Sequence, residues 1–129
     1  MQPRILVVDD EKNLADTLAA ILQSKNYQAR VAYDGLQGFE TALSFHPSLV
    51  LSDVVMPRRN GVDMAIMIME TLPETKILLI SGQAATVGLL EDARLKGYDF
   101  ECIAKPIHPV ELLEKVESLL SADATQQAV

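Results

Sequence analysis

Short apolar runs alternate with amphipathic segments along the chain, and this alternation constrains the fold more than any other feature. The predicted strands are the apolar runs at residues 4–8, 48–52, 76–80 and 101–104, together with a weaker strand at residues 28–32. The predicted helices are the intervening segments with apolar residues at helical spacing, at residues 12–25, 35–45, 62–71, 85–96 and 109–120. Five strand-helix units predict an α/β domain whose parallel sheet is covered by helices on both faces.

The length of 129 residues corresponds to one domain that can bury its own core without a metal or a disulfide. We predict this domain over residues 1–121, followed by a polar tail over residues 122–129. Met1 resembles a natural start, whereas the tail could be either a terminus or a linker. The chain could therefore be a complete protein or one end of a longer protein.

Composition argues against two classes of protein. Although 49% of the residues are hydrophobic, no apolar stretch approaches the roughly 18 residues of a membrane span, and no secretory signal is present. We therefore expect a soluble, cytoplasmic protein that does not enter a membrane. The 11 Lys and Arg residues against 18 Asp and Glu give a formal charge of −7, which argues against direct binding of nucleic acid. The expected partners are proteins.

The burial of two apolar segments depends on how the chain folds. Cys102 is the only cysteine and lies in an apolar run, so we expect a small buried hydrophobic side chain rather than a reactive thiol. Residues 64–69 are apolar on every side of the third predicted helix. We expect this helix to pack mainly on the core. The alternative is that its outer face is an exposed apolar surface that binds a partner.

Polar side chains follow four of the predicted strands. Asp9 and Asp10 come directly after the first strand, and Asp53 follows the third. Ser81 follows the fourth strand, and Lys105 follows the fifth. Because ligands of open α/β sheets bind outside the carboxyl ends of the strands, we expect these side chains to share one rim.

The expected cluster of carboxylates has a chemical consequence. Each close pair repels by roughly 4 kcal/mol at the effective dielectric of a partly buried site. Either a raised pKa or a cation must offset this repulsion, and Mg²⁺ suits a site built from carboxylate oxygens. Lys105 is then placed to contact an anion, and Ser81 to donate a hydrogen bond to it.

These motifs together resemble the receiver domain of two-component response regulators. The matching segments are residues 7–11 with the acid pair, residues 53–61 with the acceptor strand end and its loop, Ser81-Gly82, and Lys105-Pro106. The resemblance covers residues 3 to 121. It implies a single flavodoxin-like (βα)5 domain with a parallel sheet in the order 2-1-3-4-5.

The resemblance implies a role for each residue of the rim. Asp53 would be the nucleophile that takes a phosphoryl group from a phosphohistidine on a sensor histidine kinase or a histidine phosphotransfer protein. Asp10, Asp53 and the backbone carbonyl of Val55 would hold Mg²⁺, and Asp9 would act mainly through bound water. Lys105 would pair with the phosphoryl oxygens.

The resemblance also implies how the signal is read. Ser81 would move to hydrogen-bond the phosphoryl group, and the added charge would change affinity for a downstream protein. The chain would thus be a switch rather than an enzyme. Its pathway and oligomeric state stay open, with a homodimer as one possibility.

One position departs from the family pattern. Cys102 stands where the family usually has Tyr or Phe, and Phe100 either leans into the vacant space or belongs to the core. Output through the fourth helix, fifth strand and fifth helix is therefore in question.

Two further positions bear on the lifetime of the phosphoryl group. Val55 and Gln83 flank the path of the hydrolytic water in the family, and an apolar Val55 predicts a long-lived phosphoryl group unless Gln83 orients that water.

Two other functions are alternatives to this one. A Mg²⁺-dependent aspartyl phosphohydrolase typically needs an acid two residues after its nucleophile, but Val55 follows Asp53 at that spacing. A receiver-like binding module that works without phosphorylation keeps the fold and is mildly favoured by Cys102. His46 and His108 lack partners at ligand spacing, so we expect surface or turn roles for them.

Overall fold

The computed structural model describes residues 2–56, 58–82 and 86–127, with side-chain surroundings described up to residue 121. The strands are β1 (Arg4–Val8), β2 (Gln28–Ala32), β3 (Leu49–Asp53), β4 (Lys76–Ser81) and β5 (Glu101–Ala104). The helices are α1 (Lys12–Ser24), α2 (Gly35–Phe45), α3 (Gly61–Thr71), α4 (Thr86–Leu95) and α5 (Pro109–Gln127). Strands and helices alternate without exception along the described chain, as predicted.

All five strands are parallel and lie in the order β2-β1-β3-β4-β5, which confirms the predicted topology. The chain leaves β1 for the edge strand β2 and then returns to the other side of β1 with β3. This reversal of strand order creates a crevice between the carboxyl ends of β1 and β3. The register pairs Val8 with Ser52, so Asp9, which follows β1, lies beside Asp53, which ends β3.

Alternate strand residues bury two apolar layers, one on each face of the sheet. Leu6, Val50 and Leu79 pack on one face against side chains of α2, α3 and α4. Ile5 and Leu78 pack on the other face against α1 and α5. The three inner strands β1, β3 and β4 are covered on both faces and are nearly continuous apolar runs, which explains why they could be predicted from the sequence.

The third helix is mainly a core helix, as expected. Val62, Met64, Ala65 and Ile68 are buried, and Met67 is partly buried. Asn60 caps the helix, since its side chain accepts a hydrogen bond from the backbone N–H of Asp63. The helix therefore has a defined start immediately after the loop that follows β3.

Two expectations about the end of the chain were wrong. Cys102 is exposed, because β5 is a short edge strand in which only Ile103 is buried. The fifth helix continues to Gln127, seven residues past its predicted end at residue 120. Residues 121–127 contain neither glycine nor proline and include alanine and glutamine, which favour continued helix. The domain boundary at residue 121 stays a prediction.

Phe100 packs beside Tyr98 at the edge of the core. The two rings are stacked with centroids 6.1 Å apart, and both contact the apolar layer beneath α4. This placement agrees with a core role for Phe100.

None of the helices in the described part of the chain has both the length and the apolar character of a membrane-spanning helix.

Candidate functional site

Three carboxylates meet at the carboxyl edge of the sheet. One oxygen from each of Asp9, Asp10 and Asp53 lies within 4.8 Å of the others. Asp9 is 1% exposed and Asp53 is 8% exposed, whereas Asp10 faces solvent. The cause is the register of β1 with β3, which brings the residues after Val8 alongside the end of β3.

Asp9 is the most deeply buried acid of this cluster, and half of its carboxylate is unsatisfied. Its Oδ1 accepts a hydrogen bond of 2.9 Å from the backbone N–H of Glu11. Its Oδ2 is buried and has no hydrogen-bond partner among the described residues. A buried carboxylate oxygen without a donor is costly, and a bound cation would remove that cost.

The raised pKa of Asp9 also favours a bound cation. Burial raises the pKa of Asp9, and the charges of Asp53 and Asp10 add to that rise. The hydrogen bond from Glu11 and the charge of Lys105 lower the pKa but do not cancel the rise. The three acids thus form a site with excess negative charge, and its oxygen donors match those that Mg²⁺ prefers.

Asp53 is held in one orientation by two donors. Its Oδ1 accepts a hydrogen bond of 2.8 Å from the backbone N–H of Val54. Its Oδ2 lies 3.2 Å from the ammonium nitrogen of Lys105. One carboxylate therefore contacts both a fixed backbone dipole and a charged side chain, while it lies within reach of the other two acids.

Gly61, at the start of α3, lies close to the backbone of Asp53 and Val54. The backbone N–H of Gly61 donates a hydrogen bond of 2.7 Å to the carbonyl of Val54. A Cβ atom at position 61 would collide with the backbone carbonyl oxygen of Asp53. Only glycine allows this close approach, so the start of α3 packs directly against the strand end that presents Asp53.

Lys105 brings β5 to the same site. Its backbone N–H donates a hydrogen bond of 2.9 Å to the carbonyl of Ser81, and its peptide bond to Pro106 is cis. Partial burial lowers the pKa of Lys105, but the charge of Asp53 and its hydrogen bond outweigh this effect. The net result is a raised pKa, so the side chain is a reliable cation at neutral pH.

A cavity opens beside Asp53 at the carboxyl edge of the sheet. Its lining residues are Asp53, Val55, Ser81, Gly82, Lys105 and Pro106. Val55 is 40% exposed at the border of this cavity. The cavity thus joins a carboxylate, a hydroxyl and an ammonium group, which is the combination predicted at the rim.

Sequence reasoning missed Thr86. This residue is the first of α4, is only 3% exposed, and its hydroxyl is hydrogen-bonded to the hydroxyl of Ser81. A threonine at the start of a predicted helix usually indicates a cap, and its contact with Ser81 depends on how α4 packs beside β4.

The remaining candidate residues lie elsewhere or cannot be placed. His46 is exposed and ends α2 in the left-handed conformation, and His108 is exposed before α5. Both have the turn or surface positions that were expected, and neither belongs to the acid cluster. Gln83, predicted to flank the hydrolytic water, lies outside the described residues, as does Pro57.

Comparison with known proteins identifies relatives over almost the whole chain. The family model for the response regulator receiver domain matches residues 5–117. The transcriptional regulatory protein DltR of Streptococcus agalactiae serotype III (strain NEM316) is 34% identical over 113 residues, which are 88% of this chain and 50% of DltR. The DNA-binding response regulator MtrA of Mycolicibacterium paratuberculosis is 30% identical over 99% of this chain and 56% of MtrA. The chain therefore spans about half the length of these relatives.

Solved structures share the fold. A CheY-like response regulator receiver domain protein from Methanospirillum hungatei JF-1 has a TM-score of 0.88 and 25% identity, covering 98% of this chain and 99% of that chain. The response regulator protein TrrA from Thermotoga maritima, in complex with Mg²⁺-BeF, has a TM-score of 0.79 and 31% identity, covering 92% of this chain and 99% of that chain. Both similarities extend over more than nine-tenths of this chain.

Proposed function

Because the chain belongs to the response regulator receiver family, and is thus a signalling module of two-component systems, we propose that Asp53 is its phosphoryl acceptor. The observation that carries this proposal is the contact of 3.2 Å between Asp53 and Lys105 beside an open cavity and two further acids. The phosphoryl donor is the phosphohistidine of a sensor histidine kinase or of a histidine phosphotransfer protein.

The acceptor step follows from the groups around Asp53. A carboxylate oxygen of Asp53 forms a bond to phosphorus while the bond between phosphorus and the donor histidine nitrogen breaks, and the electron pair stays on that nitrogen. Lys105 lies at the cavity and offsets negative charge on the transferring group. The N–H of Val54 holds the other carboxylate oxygen in place. The product is an acyl phosphate on Asp53.

The acid cluster fits a divalent cation. Asp10, Asp53 and the backbone carbonyl of Val55 would hold Mg²⁺ directly, and Asp9 would do so mainly through water. When bound, Mg²⁺ neutralises charge on the phosphoryl oxygens. Oδ2 of Asp9, which has no hydrogen-bond partner within the described part of the chain, supports this assignment, as does the Mg²⁺-BeF complex of the Thermotoga relative, which is 31% identical.

The output of the switch is a change in affinity for another protein. Phosphorylation adds about one and a half to two negative charges at the rim, enough to bias a loop and a helix between two arrangements. The chain would act in the cytoplasm, bind neither membrane nor nucleic acid itself, and pass the signal to a downstream protein, a second copy of itself or a linked domain.

One observation favours a second candidate function. Cys102 is exposed and small where the family usually has a large aromatic side chain, so the usual link between site and output surface is missing. A receiver-like module that binds its partner without phosphorylation would tolerate this loss. The intact rim residues Asp9, Asp10, Asp53 and Lys105 argue for the phosphorylated switch. A hydrolase that turns over repeatedly is disfavoured by Val55.

Intact-protein mass after incubation with acetyl phosphate and Mg²⁺ tests the proposal. We expect one added phosphoryl group that requires Mg²⁺ and is lost in the Asp53→Asn variant. Asp92→Asn is a matched control, because Asp92 is an exposed acid on α4 outside the cluster. An adduct that survives in Asp53→Asn, or none with acetyl phosphate or a cognate donor, would favour the phosphorylation-independent module.

A further inference from the structure

Two hydroxyl groups join the cavity to the fourth helix. Ser81 lines the cavity that contains Asp53, and its Oγ is hydrogen-bonded to Oγ1 of Thr86. Thr86 begins α4 and is 3% exposed, so water cannot freely replace its partner. The contact therefore links a group at the reacting centre with the first turn of a helix.

The fourth helix buries fewer residues than the third helix, against which it packs. Among its ten residues, only Thr86 and Ala93 are buried. Val87 is 63% exposed and Leu95 is 87% exposed, and a Cβ atom at Gly88 would meet no atom within 4 Å. Because only two of its residues are fully buried, a change at one of them can alter the position of α4.

Hydroxyl chemistry makes the contact sensitive to phosphorylation. A serine hydroxyl has one proton to donate, and the oxygens of a phosphoryl group on Asp53 accept hydrogen bonds. When Ser81 donates its proton to the phosphoryl group, that proton can no longer serve Thr86. The buried hydroxyl of Thr86 must then donate to the oxygen of Ser81 and follow it, or lose its bond with Ser81 at the cost of a buried polar group.

We propose that Thr86 is a positioning residue that orients Ser81 before phosphorylation and carries its movement into the first turn of α4 afterwards. This inference rests on the proposed function, since it requires a phosphoryl group on Asp53. It supplies a connection to α4 that does not need an aromatic side chain at position 102, where the exposed Cys102 stands.

The test compares variants that differ by single hydroxyl groups. Thr86→Val removes the hydroxyl with little change of shape, and Thr86→Ser retains it. Thr75→Val is the matched control, because Thr75 is 5% exposed and its hydroxyl donates to the carbonyl of Pro47, next to the other end of the sheet. Amide hydrogen exchange in α4 is measured with and without Mg²⁺ and beryllium fluoride.

We expect beryllium fluoride to change exchange in the first turn of α4 in the wild-type chain, in Thr86→Ser and in Thr75→Val, and to leave it unchanged in Thr86→Val. A change of wild-type size in Thr86→Val would overturn the inference. A loss of the change in both Thr86→Val and Thr86→Ser would overturn it as well, because the hydroxyl would then not be the cause.

A second measurement covers the case in which Thr86→Val folds poorly. The rate of phosphorylation by acetyl phosphate is measured for Ser81→Ala, Thr86→Ala and the double variant. If Thr86 acts through Ser81, the double variant is no slower than Ser81→Ala, whereas multiplied losses would contradict the inference. A wild-type chain that gains no phosphoryl group from any donor removes the proposed function itself. A wild-type chain that gains one while α4 ignores Thr86 removes only this inference.

Discussion

The ammonium nitrogen of Lys105 lies 3.2 Å from Oδ2 of Asp53, so a charged contact joins the end of the edge strand β5 to the centre of the sheet. Lys105 also donates its backbone N–H to Ser81. These two contacts place ammonium, hydroxyl and carboxylate groups around one cavity.

Loss of the Lys105 charge should slow phosphorylation more than it disturbs the fold. In Lys105→Met, we expect phosphorylation by acetyl phosphate to slow by on the order of 10- to 100-fold, because charge on the transferring group is no longer offset. Lys115→Met is the matched control, since Lys115 pairs with Glu101 at the surface, 2.9 Å away. Time courses of intact mass measure both rates. Equal rates in the two variants would contradict the role of Lys105.

Asp9→Asn should stabilise the metal-free protein at neutral pH. The fold raises the pKa of Asp9, chiefly through burial, so the charged form is disfavoured in the folded state. This cost is absent below the ordinary carboxyl pKa and appears as pH rises through the raised folded value. We expect Asp9→Asn to be more stable than the wild type at pH 7 and to lose this advantage near pH 3.

Magnesium should reverse that difference. Wild-type protein gains stability from Mg²⁺ because a bound cation offsets the repulsion among the three acids. Asp9→Asn gains less, since one acid of the cluster is neutral. Thermal unfolding with EDTA and with Mg²⁺, at pH 7 and at low pH, checks both statements. A metal-free Asp9→Asn variant that melts below the wild type at pH 7 would show that this acid is not a source of strain.

Two glycine substitutions should have opposite effects. Gly61→Ala places a Cβ against the carbonyl oxygen of Asp53, so we expect a loss of about 1–3 kcal/mol and slower phosphorylation. Gly88→Ala meets no atom within 4 Å and lies within α4, so we expect a gain of about 0.5–1 kcal/mol. Urea unfolding gives both differences. A Gly61→Ala variant with the free energy of unfolding of the wild type would show that the backbone beside Asp53 can shift to accept the added Cβ.

Val55→Asn should shorten the lifetime of the phosphoryl group. Val55 borders the cavity and is 40% exposed, so a polar side chain there can orient a water molecule without disturbing the core. We expect several-fold faster loss of phosphate, within the range of general base and positioning effects. Val87→Asn, at an exposed position on α4, serves as the control. An unchanged or slower loss in Val55→Asn would rule out this explanation of the lifetime.

Much of the fold was predictable because its signals are local. The predicted strand at residues 4–8 coincides with Arg4–Val8, and that at residues 76–80 differs from Lys76–Ser81 by one residue. Strands buried on both faces need unbroken apolar runs, and such runs are visible without any tertiary contact. Pro109 begins the fifth helix and Gly97, with a positive φ of 96°, follows the fourth, so helix ends were marked as well.

The convergence of the acids was predictable for a related reason. Parallel strands present their carboxyl ends at one edge, so the positions of Asp9, Asp10 and Asp53 in the sequence already implied a shared site. The roles of these acids and of Ser81 and Lys105 stay predictions until phosphorylation is measured. Their proximity is a property of the fold.

The sequence by itself therefore determined how strands and helices alternate along the chain, which residues lie at the rim, and the resemblance to a receiver domain. Only the tertiary structure decided that Cys102 is exposed, that Oδ2 of Asp9 has no described partner and that Ser81 contacts Thr86. Each of these depends on which side chains surround an atom in three dimensions. Those surroundings depend on how the helices pack and on which strand lies at the edge of the sheet. Local sequence patterns predict neither of these.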